Sequence, residues 1–434
     1  MRGSEGIDIL NASQNQSTQT KNIGFISTRI AGTDGVSLEI KKWAEVLKRN
    51  GYNCFYFAGK LDRPPSVSYP VEEAYFEHPI IQSIGSDVFG KKTRNPETSK
   101  TIQHVKNRLK DALYDFTKNY NIDLIIPENA LAIPLNIPLG IAITEFIAET
   151  RIPTIAHHHD FYWERIRFSL NACQDYLNMA FPADLPSIHH VVINSIASEQ
   201  LSHRHGISNT VIPNVLDFSE EPPFPDHYCD YLREKVGLEK DDLFILQPTR
   251  VIPRKWIERS IEIVKYLNLP KPILVISHAT ADEGGDYYQH VQDYALNLGV
   301  KIITIDHLIT EKRGKNEKGE KTFTIGDMYQ CADLITYPSS HEGFGNAFLE
   351  AIYYKKPIIV NPYSIYVVDI APKSFEAILF KGFLTSREAE RIEAILKNEK
   401  KLRQMVDRNY TLAKKYYSYE MLEERLMPII RTFR

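Results

Sequence analysis

Residues 334–351 read LITYPSSHEGFGNAFLEA, and this stretch decides which type of fold we predict. The apolar, β-branched run at 334–336 is typical of a buried strand. A turn rich in serine and glycine follows, and from Asn346 onward apolar residues recur at helical spacing. The stretch therefore predicts a strand, a glycine-containing loop and a helix, which is the repeating unit of parallel sheets.

The same alternation of short apolar runs and longer helical stretches continues along the chain from residue 22. Five runs precede a proline-bearing turn near residue 213 and five follow it, at 23–27, 54–57, 124–126, 154–157, 191–194, 243–246, 273–276, 301–304, 334–336 and 357–360. Near-continuous apolar strands with helices between them indicate parallel sheets that are covered on both faces. We therefore predict an α/β protein with two doubly wound, Rossmann-like domains that face each other across a cleft.

Composition sets the domain boundaries that we expect. Residues 1–20 are polar and rich in Gln, Asn, Ser and Thr, which predicts a flexible tail. We assign residues 21–213 to the N-terminal domain and residues 214–416 to the C-terminal domain, because a segment rich in proline and acid separates the two sets of strands. An apolar stripe in residues 417–434 predicts one further helix.

The charge balance excludes a dedicated nucleic-acid-binding protein. The 434 residues include 52 Lys+Arg and 55 Asp+Glu, a net charge of -3, whereas nucleic-acid binders carry a large basic excess. The four cysteines (Cys54, Cys173, Cys229 and Cys331) lie far apart without a CxxC pair, so we expect reduced core thiols rather than disulfides or a zinc site. No apolar stretch reaches the roughly 20 residues that a spanning helix needs, and we expect a cytoplasmic protein.

The loop in residues 339–351 is the strongest candidate for a ligand site. In open parallel sheets, ligands bind beyond the carboxyl ends of the strands. Phe344, Gly345 and Asn346 lie at the predicted start of a helix. Their backbone N–H groups can bind a phosphate there. Glu342 and Glu350 flank this cradle and can bind the hydroxyl groups of a sugar and a ribose on either side of a diphosphate. The alternative is that both are ordinary surface acids.

Two basic residues follow the first strand of the second set. Arg250 and Lys255 are five positions apart across a proline turn, at the opening of the next helix. A planar guanidinium and a point-like ammonium that converge on one site suit a diphosphate without a metal. The alternative is a pair of unrelated solvated charges, which the positive end of the helix dipole disfavours.

The N-terminal half contributes two glycines and three consecutive histidines. Gly32 and Gly35 lie in the turn after the first strand and either let a ligand approach the backbone or only form a tight turn. The histidines at 157–159 end the fourth strand, where His158 points opposite to its two neighbours. Either one histidine faces the cleft and binds a sugar hydroxyl or phosphate, or all three pack in the interior; we weigh a metal site as the least favoured alternative.

These motifs together resemble those of the family 4 retaining glycosyltransferases, which have the GT-B fold. Glu342 and Glu350 match the family's Glu-x7-Glu motif, and Arg250 and Lys255 match its Arg-x4-Lys motif. The IPNVLD segment at 212–217 is similar to the domain-crossing IPNGVD, with Val215 in place of the usual glycine. Gly32 and Gly35 correspond to the N-terminal glycine loop. The resemblance extends over residues 21–434.

The resemblance implies a retaining, metal-independent hexosyltransferase that needs no cofactor. Its donor would be a nucleotide-diphosphate sugar of the GDP-mannose or UDP-glucose type, and its acceptor a hydroxyl of a sugar, a glycan or a small polar molecule. Arg250 and Lys255 would neutralise the diphosphate, Glu350 would bind the ribose, and Glu342 would contact the 3- and 4-hydroxyls of the sugar. The residues implied in donor binding are Gly35, Arg250, Lys255, Phe344, Gly345, Asn346 and Glu350. The last helix, 417–434, would cross back onto the N-terminal domain.

The resemblance also implies four catalytic residues and leaves the acceptor side open. The catalytic residues are Glu342, Lys255, Arg250 and a histidine that contacts the 6-hydroxyl of the sugar, which is His159 or, in a shifted register, His158. The acceptor candidates are Gly32, Asn129, His158 and Asp160, with Glu128 and Asn136 nearby in the sequence.

Two other functions and a surface interaction remain as alternatives. A nucleotide-sugar epimerase would convert the donor without an acceptor, and a non-catalytic subunit would bind the nucleotide sugar without turnover. The basic excess in residues 91–110 predicts either a solvated face or a weak association with an anionic membrane surface.

Overall fold

The computed structural model describes residues 21–239, 241–278 and 285–433, so the tail expected at 1–20 lies outside the described residues. The strands of the N-terminal half are β1 (Asn22–Ile26), β2 (Arg29–Ile30), β3 (Asn53–Ala58), β4 (Lys60–Leu61), β5 (Ser68–Pro70), β6 (Leu124–Pro127), β7 (Thr154–His158), β8 (Ile188–Val192) and β9 (Asn209–Val211). Its helices are α1 (Gly35–Arg49), α2 (Pro79–Val88), α3 (Pro96–Asn119), α4 (Ile137–Thr150), α5 (Gln174–Ala180) and α6 (Ser195–His205).

The C-terminal half follows the same alternation. Its strands are β10 (Leu243–Gln247), β11 (Pro272–Ile276), β12 (Ile302–Thr304), β13 (Gly314–Lys315), β14 (Lys321–Thr322), β15 (Leu334–Tyr337), β16 (Ile358–Val360) and β17 (Ile378–Leu379). Its helices are α7 (His227–Lys235), α8 (Ile257–Tyr266), α9 (Gly285–Leu298), α10 (Ile325–Cys331), α11 (Asn346–Tyr353), α12 (Ser386–Leu396), α13 (Glu399–Tyr416) and α14 (Tyr419–Thr432).

Two parallel sheets organise the molecule. The first has the strand order β5-β3-β1-β6-β7-β8-β9 and the second the order β12-β11-β10-β15-β16-β17. The described pairings within both sheets are parallel. The strand order reverses between β1 and β6 in the first sheet and between β10 and β15 in the second. The prediction of an α/β protein with two Rossmann-like domains is confirmed.

Helix α1 shows how the sequence determines these elements. Asp34 caps the helix because its side chain accepts hydrogen bonds from the N–H groups of residues 36 and 37. Ile40, Trp43, Ala44 and Leu47 recur at helical spacing and are all buried against the first sheet. The amphipathic pattern therefore sets which face of the helix packs on the strands.

The last helix, α14, belongs to the core of the N-terminal domain although it ends the chain. Leu422 and Leu426 are fully buried in the cluster that contains Trp43 of α1. The segment that enters α14 runs beside the first crossing between the domains, where Leu216 N–H donates to Tyr417 O at 2.9 Å. The two crossings therefore form one paired connection between the domains.

The cysteines correct one expectation. Cys229 in α7 and Cys331 at the end of α10 form a disulfide across 102 positions, with their Cα atoms 5.2 Å apart. The prediction of four reduced thiols is wrong for this pair, because the packing of α7 on α10 brings two distant residues together. Cys54 and Cys173 are free and buried, and burial raises the pKa of each thiol to about 12.

The basic segment at 91–110 is largely neutralised by neighbouring acids. Its ion pairs are Arg94–Asp175, Lys100–Glu97, Lys106–Glu145, Arg108–Glu73 and Lys110–Glu145. This pairing favours the ion-paired, solvated face over a surface that attracts anionic lipid. Within the described part of the chain, no helix is both long and apolar enough to cross a bilayer.

We expect Leu426→Ala to destabilise the protein by about 2–5 kcal/mol, because it leaves a cavity where α14 packs on α1. The measurement is the free energy of unfolding in urea. Glu423→Ala is the matched control, since Glu423 is exposed on the same helix and its removal leaves the core intact. Equal stability of the two variants would contradict the docking of α14 on the N-terminal domain.

Candidate active site

The reversal of strand order in the second sheet places two loops side by side, one after β10 and one after β15. Buried Gln247 at the end of β10 joins them, because its Oε1 accepts from Thr336 Oγ1 of β15 at 2.9 Å. The same oxygen accepts from Ser260 Oγ of α8 at 2.6 Å, and Gln247 Nε2 donates to Thr249 Oγ1 at 2.7 Å. A satisfied buried polar network thus fixes the strand ends from which both loops start.

A buried ion pair connects the two loops. Lys255 Nζ donates to Glu342 Oε1, and both side chains are more than nine-tenths buried. Arg254 Nη1 donates to the other carboxylate oxygen, Glu342 Oε2, at 3.0 Å. Lys255 Nζ also lies 5.4 Å from the centre of the Tyr337 ring. The loop after β10 therefore surrounds the Glu342 carboxylate with positive charge.

These cations determine the protonation state of Glu342. Burial alone would raise the pKa of this carboxyl group, but the charges of Lys255 and Arg254 and its hydrogen bonds lower the pKa to about 2. Glu342 is thus ionised at neutral pH, and the pair is a charged one. A carboxylate has about four acceptor positions, so Glu342 can still accept from the hydroxyl groups of a ligand.

Arg250 and His278 lie close to this pair. Arg250 is exposed, and its charge acts on both Lys255 and His278. Burial, followed by the charges of Arg250 and Lys255, lowers the pKa of His278 to about 4, so the imidazole is neutral at physiological pH. The two basic residues that the sequence singled out are therefore brought together, with a neutral histidine beside them.

Arg254 and His278 are site residues that the sequence analysis did not assign. Arg254 stands next to Lys255 in the sequence, but nothing in the spacing distinguishes it from a solvated charge. His278 follows the end of β11, and its position after a buried strand was the one signal that pointed to the cleft.

The loop after β15 enters helix α11 through Gly345. This residue has a φ of 116°, and a Cβ atom there would lie 2.1 Å from Tyr363 Oη, so the turn requires glycine. The side chain of Phe344 is buried against Tyr417, while its carbonyl accepts from Tyr363 Oη at 2.9 Å. The predicted cradle at Phe344, Gly345 and Asn346 thus coincides with the start of α11, and its role in anion binding stays a prediction.

Glu350 lies one turn into α11. Its Oε2 accepts from Tyr329 Oη at 2.8 Å. Burial raises the pKa of Glu350, and the Tyr329 hydrogen bond and the charges of Lys42 and Lys255 offset part of that effect. Since Lys42 belongs to α1, Glu350 lies within electrostatic range of the N-terminal domain as well as of the ion pair.

Contacts across the cleft place the two halves of the site face to face. A Cβ atom at Gly35 would lie 3.8 Å from Asn346 Nδ2, so the starts of α1 and α11 approach each other. Asn346 Oδ1 accepts from Asn214 Nδ2 at 2.8 Å. On the far side, Asn194 Nδ2 donates to Gly343 O at 2.7 Å. Gly32, by contrast, has open space around its Cβ position.

The three histidines divide as the strand geometry predicts. His157 Nδ1 and His159 Nε2 lie 2.9 Å and 3.0 Å from the same oxygen, Oε2 of the buried Glu128. Burial lowers the pKa of His159, but the hydrogen bond and charge of Glu128 outweigh it, so that the pKa of His159 is raised overall. A Cβ atom at Gly343 would lie 3.4 Å from His159 O, which places His159 beside the Glu342 loop.

His158 corrects an expectation. Its Nε2 lies 2.9 Å from His190 Nδ1, its ring packs on Phe161, and it is fully buried on the opposite side of β7. Burial, with the nearby histidines, lowers the pKa of His158 well below its usual value, so the ring is neutral. The predicted acceptor contact by His158 does not fit this position. His159 lies on the other side of the strand, beside the Glu342 loop, and its contact with the sugar stays a prediction.

The remaining acceptor candidates form a small network. Asn129 Oδ1 accepts from His159 N–H at 3.0 Å, and Asn129 Nδ2 donates to Asp160 Oδ1 at 2.9 Å. Arg165 Nε donates to Asp160 Oδ2 at 2.5 Å. Asn136 instead caps α4, where its side chain accepts from the N–H group of Leu139, so its role is structural. Asn129 and Asp160 thus lie next to His159, where their role in acceptor binding stays a prediction.

Within the part of the chain that the structure describes, one group of side chains has the composition of a metal site. The ligand atoms of Glu128, His157 and His159 lie within 4.8 Å of one another. Both imidazoles already share one carboxylate oxygen of Glu128, and the Glu128 pKa is lowered by them although burial opposes it. His159 Nε2 forms a hydrogen bond with this oxygen, whereas His157 Nδ1 lies near it without hydrogen-bond geometry, and the second carboxylate oxygen of Glu128 has no partner within the described ranges of the chain. The expected absence of a metal stays a prediction.

Comparisons with known proteins agree with this geometry. Residues 230–412 match the family model described as "Glycosyl transferases group 1". The chain is 32% identical over 381 residues to a mannosylglucosylglycerate synthase of Petrotoga mobilis. The alignment covers 82% of this chain and 86% of the relative. It is 30% identical over 439 residues to a protein of the same name from Thermotoga maritima, and that alignment covers 93% of this chain and 98% of the relative.

A solved structure shows the same architecture over nearly the whole chain. The glycosyltransferase from Rickettsia africae superposes with a TM-score of 0.67 at 14% identity, covering 96% of this chain and 99% of that one. This fold defines a two-domain GT-B protein. The chain belongs to the group 1 glycosyl transferases and is a glycosyltransferase with a nucleotide-sugar donor.

The ion pair predicts a pH dependence of stability. The pKa of Glu342 is lowered on folding, so its contribution is complete above the unfolded-state value of about 4.5 and is lost as the pH falls toward 2. We expect the difference in unfolding free energy between the wild type and Glu342→Gln to shrink by roughly 1–2 kcal/mol from pH 5 to pH 3. Urea denaturation at both pH values measures it. A pH-independent difference would contradict a charged pair.

Proposed function

We propose that the protein transfers a mannosyl group from GDP-mannose to a hydroxyl of glucosylglycerate, with retention of configuration and without a metal ion. The observation that carries the proposal is the cluster of Lys255, Arg254 and Arg250 at Glu342, in the loop that leads into α11. The mannosyl group and the glucosylglycerate acceptor are inferred from the name of the two mannosylglucosylglycerate synthases, with which this chain shares 32% and 30% identity. GDP-mannose is one of the two donor types that the family resemblance implies.

The cluster supports the departure of a diphosphate. Cleavage of the bond between the sugar and the phosphate develops negative charge on the leaving group, and preorganised cations stabilise that charge most in the transition state. Lys255 has three N–H donors, so it can keep its bond to Glu342 and still donate to a phosphate oxygen. The N–H groups at the start of α11 add further donors. This donor set supplies the role that a divalent cation has in other enzymes.

The position of the carboxylates supports front-face transfer. A double-displacement mechanism needs a carboxylate nucleophile close to the anomeric carbon. Glu342 is held by Lys255 and Arg254, and Glu128 is fully buried and hydrogen-bonded to His159, so neither carboxylate is free to act as a nucleophile at the cleft surface. We infer that the acceptor hydroxyl attacks on the face from which the diphosphate leaves, and that a phosphate oxygen takes its proton.

His159 fits a role in holding the donor sugar. Its backbone carbonyl is in contact distance of Gly343, and its ring is oriented by Glu128. Glu342 lies next to Gly343 in the same loop. We propose that His159 and Glu342 bind hydroxyl groups on opposite edges of the transferred sugar, while Glu350 binds the ribose.

We expect Lys255→Ala to lower kcat at least about 100-fold, which corresponds to ~2.7 kcal/mol in the activation barrier. The reason is the loss of the cation that neutralises the leaving diphosphate. The assay follows GDP release with GDP-mannose and glucosylglycerate. The matched control is Lys271→Ala, because Lys271 is an exposed lysine of the same domain that pairs with exposed Glu239. Near wild-type turnover of folded Lys255→Ala would contradict the site assignment.

We expect GDP to raise the melting temperature more than UDP or ADP does. A ligand at about 100 times its Kd stabilises the folded state by ~2.7 kcal/mol, which corresponds to a shift of a few degrees. Lys255→Ala serves as the site control and should respond less to GDP. A selective response to UDP or ADP would assign another donor base, and no response to any nucleotide would contradict the donor site.

Proton NMR of the product tests retention of configuration, and we expect an α-linked mannosyl group.

A further inference from the structure

A small ribbon of backbone lies over the carboxyl edge of the first sheet and brings two cations together. Strands β2 and β4 pair in parallel, with Arg29 opposite Lys60 and Ile30 opposite Leu61. Side chains of residues that are partners in a parallel pair point to the same face. Arg29 and Lys60 are therefore neighbours on one face, although 31 positions separate them in the sequence.

The ribbon is packed on two aromatic rings. The Arg29 guanidinium lies 5.4 Å from the centre of the Phe76 ring, and Lys60 Nζ lies 5.8 Å from the centre of the Tyr75 ring. The two rings are themselves in edge contact, with centroids 4.9 Å apart. A Cβ atom at Gly59 would lie 2.0 Å from Tyr75 N, so glycine is needed to bring β4 against this segment. The arrangement is thus a built platform.

The platform borders the cleft. The loop that follows Arg29 is tied to β4 by Gly32 N–H, which donates to Asp62 Oδ2 at 2.7 Å. The same loop ends at Asp34, which caps α1, and at Gly35, which approaches Asn346 of the donor cradle. A ligand bound at Arg29 and Lys60 would therefore lie on the N-terminal side of the cleft, where an acceptor must reach the donor sugar.

The charge of the platform is only partly balanced. Arg29 Nη2 lies 3.2 Å from Asp34 Oδ2, with a third of the Arg29 side chain exposed. Lys60 is exposed, and among the residues that the structure describes no carboxylate forms an ion pair with it. Like charges on paired residues repel each other. Arg29 and Lys60 are thus neighbouring cations for which the described residues supply a single ion-pair partner, Asp34, which pairs with Arg29. This excess of positive charge favours an anion that binds both side chains.

We propose that Arg29 and Lys60 bind a carboxylate carried by the acceptor and so determine that the enzyme prefers a sugar acid over a neutral sugar. The proposal rests on the transferase function proposed above and assigns the acceptor-specificity residues of that site. A guanidinium has five N–H donors, so Arg29 can keep Asp34 and still bind a carboxylate. The Phe76 and Tyr75 rings hold the cations side by side and supply apolar contact for a sugar face.

The experiment compares two acceptors that differ at a single group, which is charged in one and neutral in the other. Glucosylglycerate carries a carboxylate where glucosylglycerol carries a hydroxymethyl group. We expect the double variant Arg29→Gln/Lys60→Gln to lower kcat/KM for glucosylglycerate at least about tenfold and to change kcat/KM for glucosylglycerol less than about twofold. The Kd for GDP should stay unchanged. Lys100→Gln is the matched control, since Lys100 pairs with exposed Glu97 on α3.

Three results would overturn the proposal. Equal losses with both acceptors would show that the pair only supports the fold. Weaker GDP binding with an unchanged acceptor preference would place a donor phosphate at these cations. If the wild-type enzyme used only neutral acceptors or sugar phosphates, a carboxylate would be excluded as the ligand of Arg29 and Lys60. The transferase function would still stand.

A binding measurement separates this proposal from the proposed function. Isothermal titration of the GDP-bound full chain with glucosylglycerate needs no turnover. Binding to the wild type that is lost in the double variant supports the carboxylate site even if no transfer is seen. Absence of binding to the wild type overturns the site.

Discussion

The ion pair between Lys255 and Glu342 is the interaction on which the C-terminal face of the cleft depends. It joins the loops after β10 and β15 at the point where the strand order reverses. Leaving one buried charge without its partner costs about 3–5 kcal/mol, so neither loop can move away from the other at low cost. Arg254, and the cradle that starts α11, take their positions from these two loops.

The second constraint is the paired crossing between the domains. The chain leaves the N-terminal domain near Leu216 and returns to it at Tyr417, and a hydrogen bond of 2.9 Å joins the two passages. Because α14 is buried in the N-terminal core, the C-terminal domain is held at both of its ends. Asn214 at this crossing donates from its Nδ2 to Asn346 Oδ1 at 2.8 Å, so the crossing is in direct contact with the start of α11.

The two faces of the cleft have different electrostatic characters. The C-terminal face concentrates positive charge around one ionised carboxylate, which suits a diphosphate that becomes more negative as it leaves. The N-terminal face centres on Glu128 and two imidazoles, with the Arg29–Lys60 platform at its border. A donor and an acceptor that both carry negative charge would accordingly be held by separate cations, so that their charges need not be neutralised at the same point.

The sequence by itself predicted ten strands of the two parallel sheets and the residues of the loops after β10 and β15, but not the edge strands β5, β9 and β17. Hydrophobic periodicity is local, and Arg250, Lys255, Glu342 and Glu350 each lie within a few residues of a strand end that the pattern identifies. Only the tertiary structure separated His158 from His159, because His158 is held by His190 on a neighbouring strand. It also decided the Cys229–Cys331 disulfide and the pairing of Arg29 with Lys60. The physical reason is that these contacts join residues 31 to 102 positions apart, and their distances in space follow from strand order and helix packing, which no local pattern encodes.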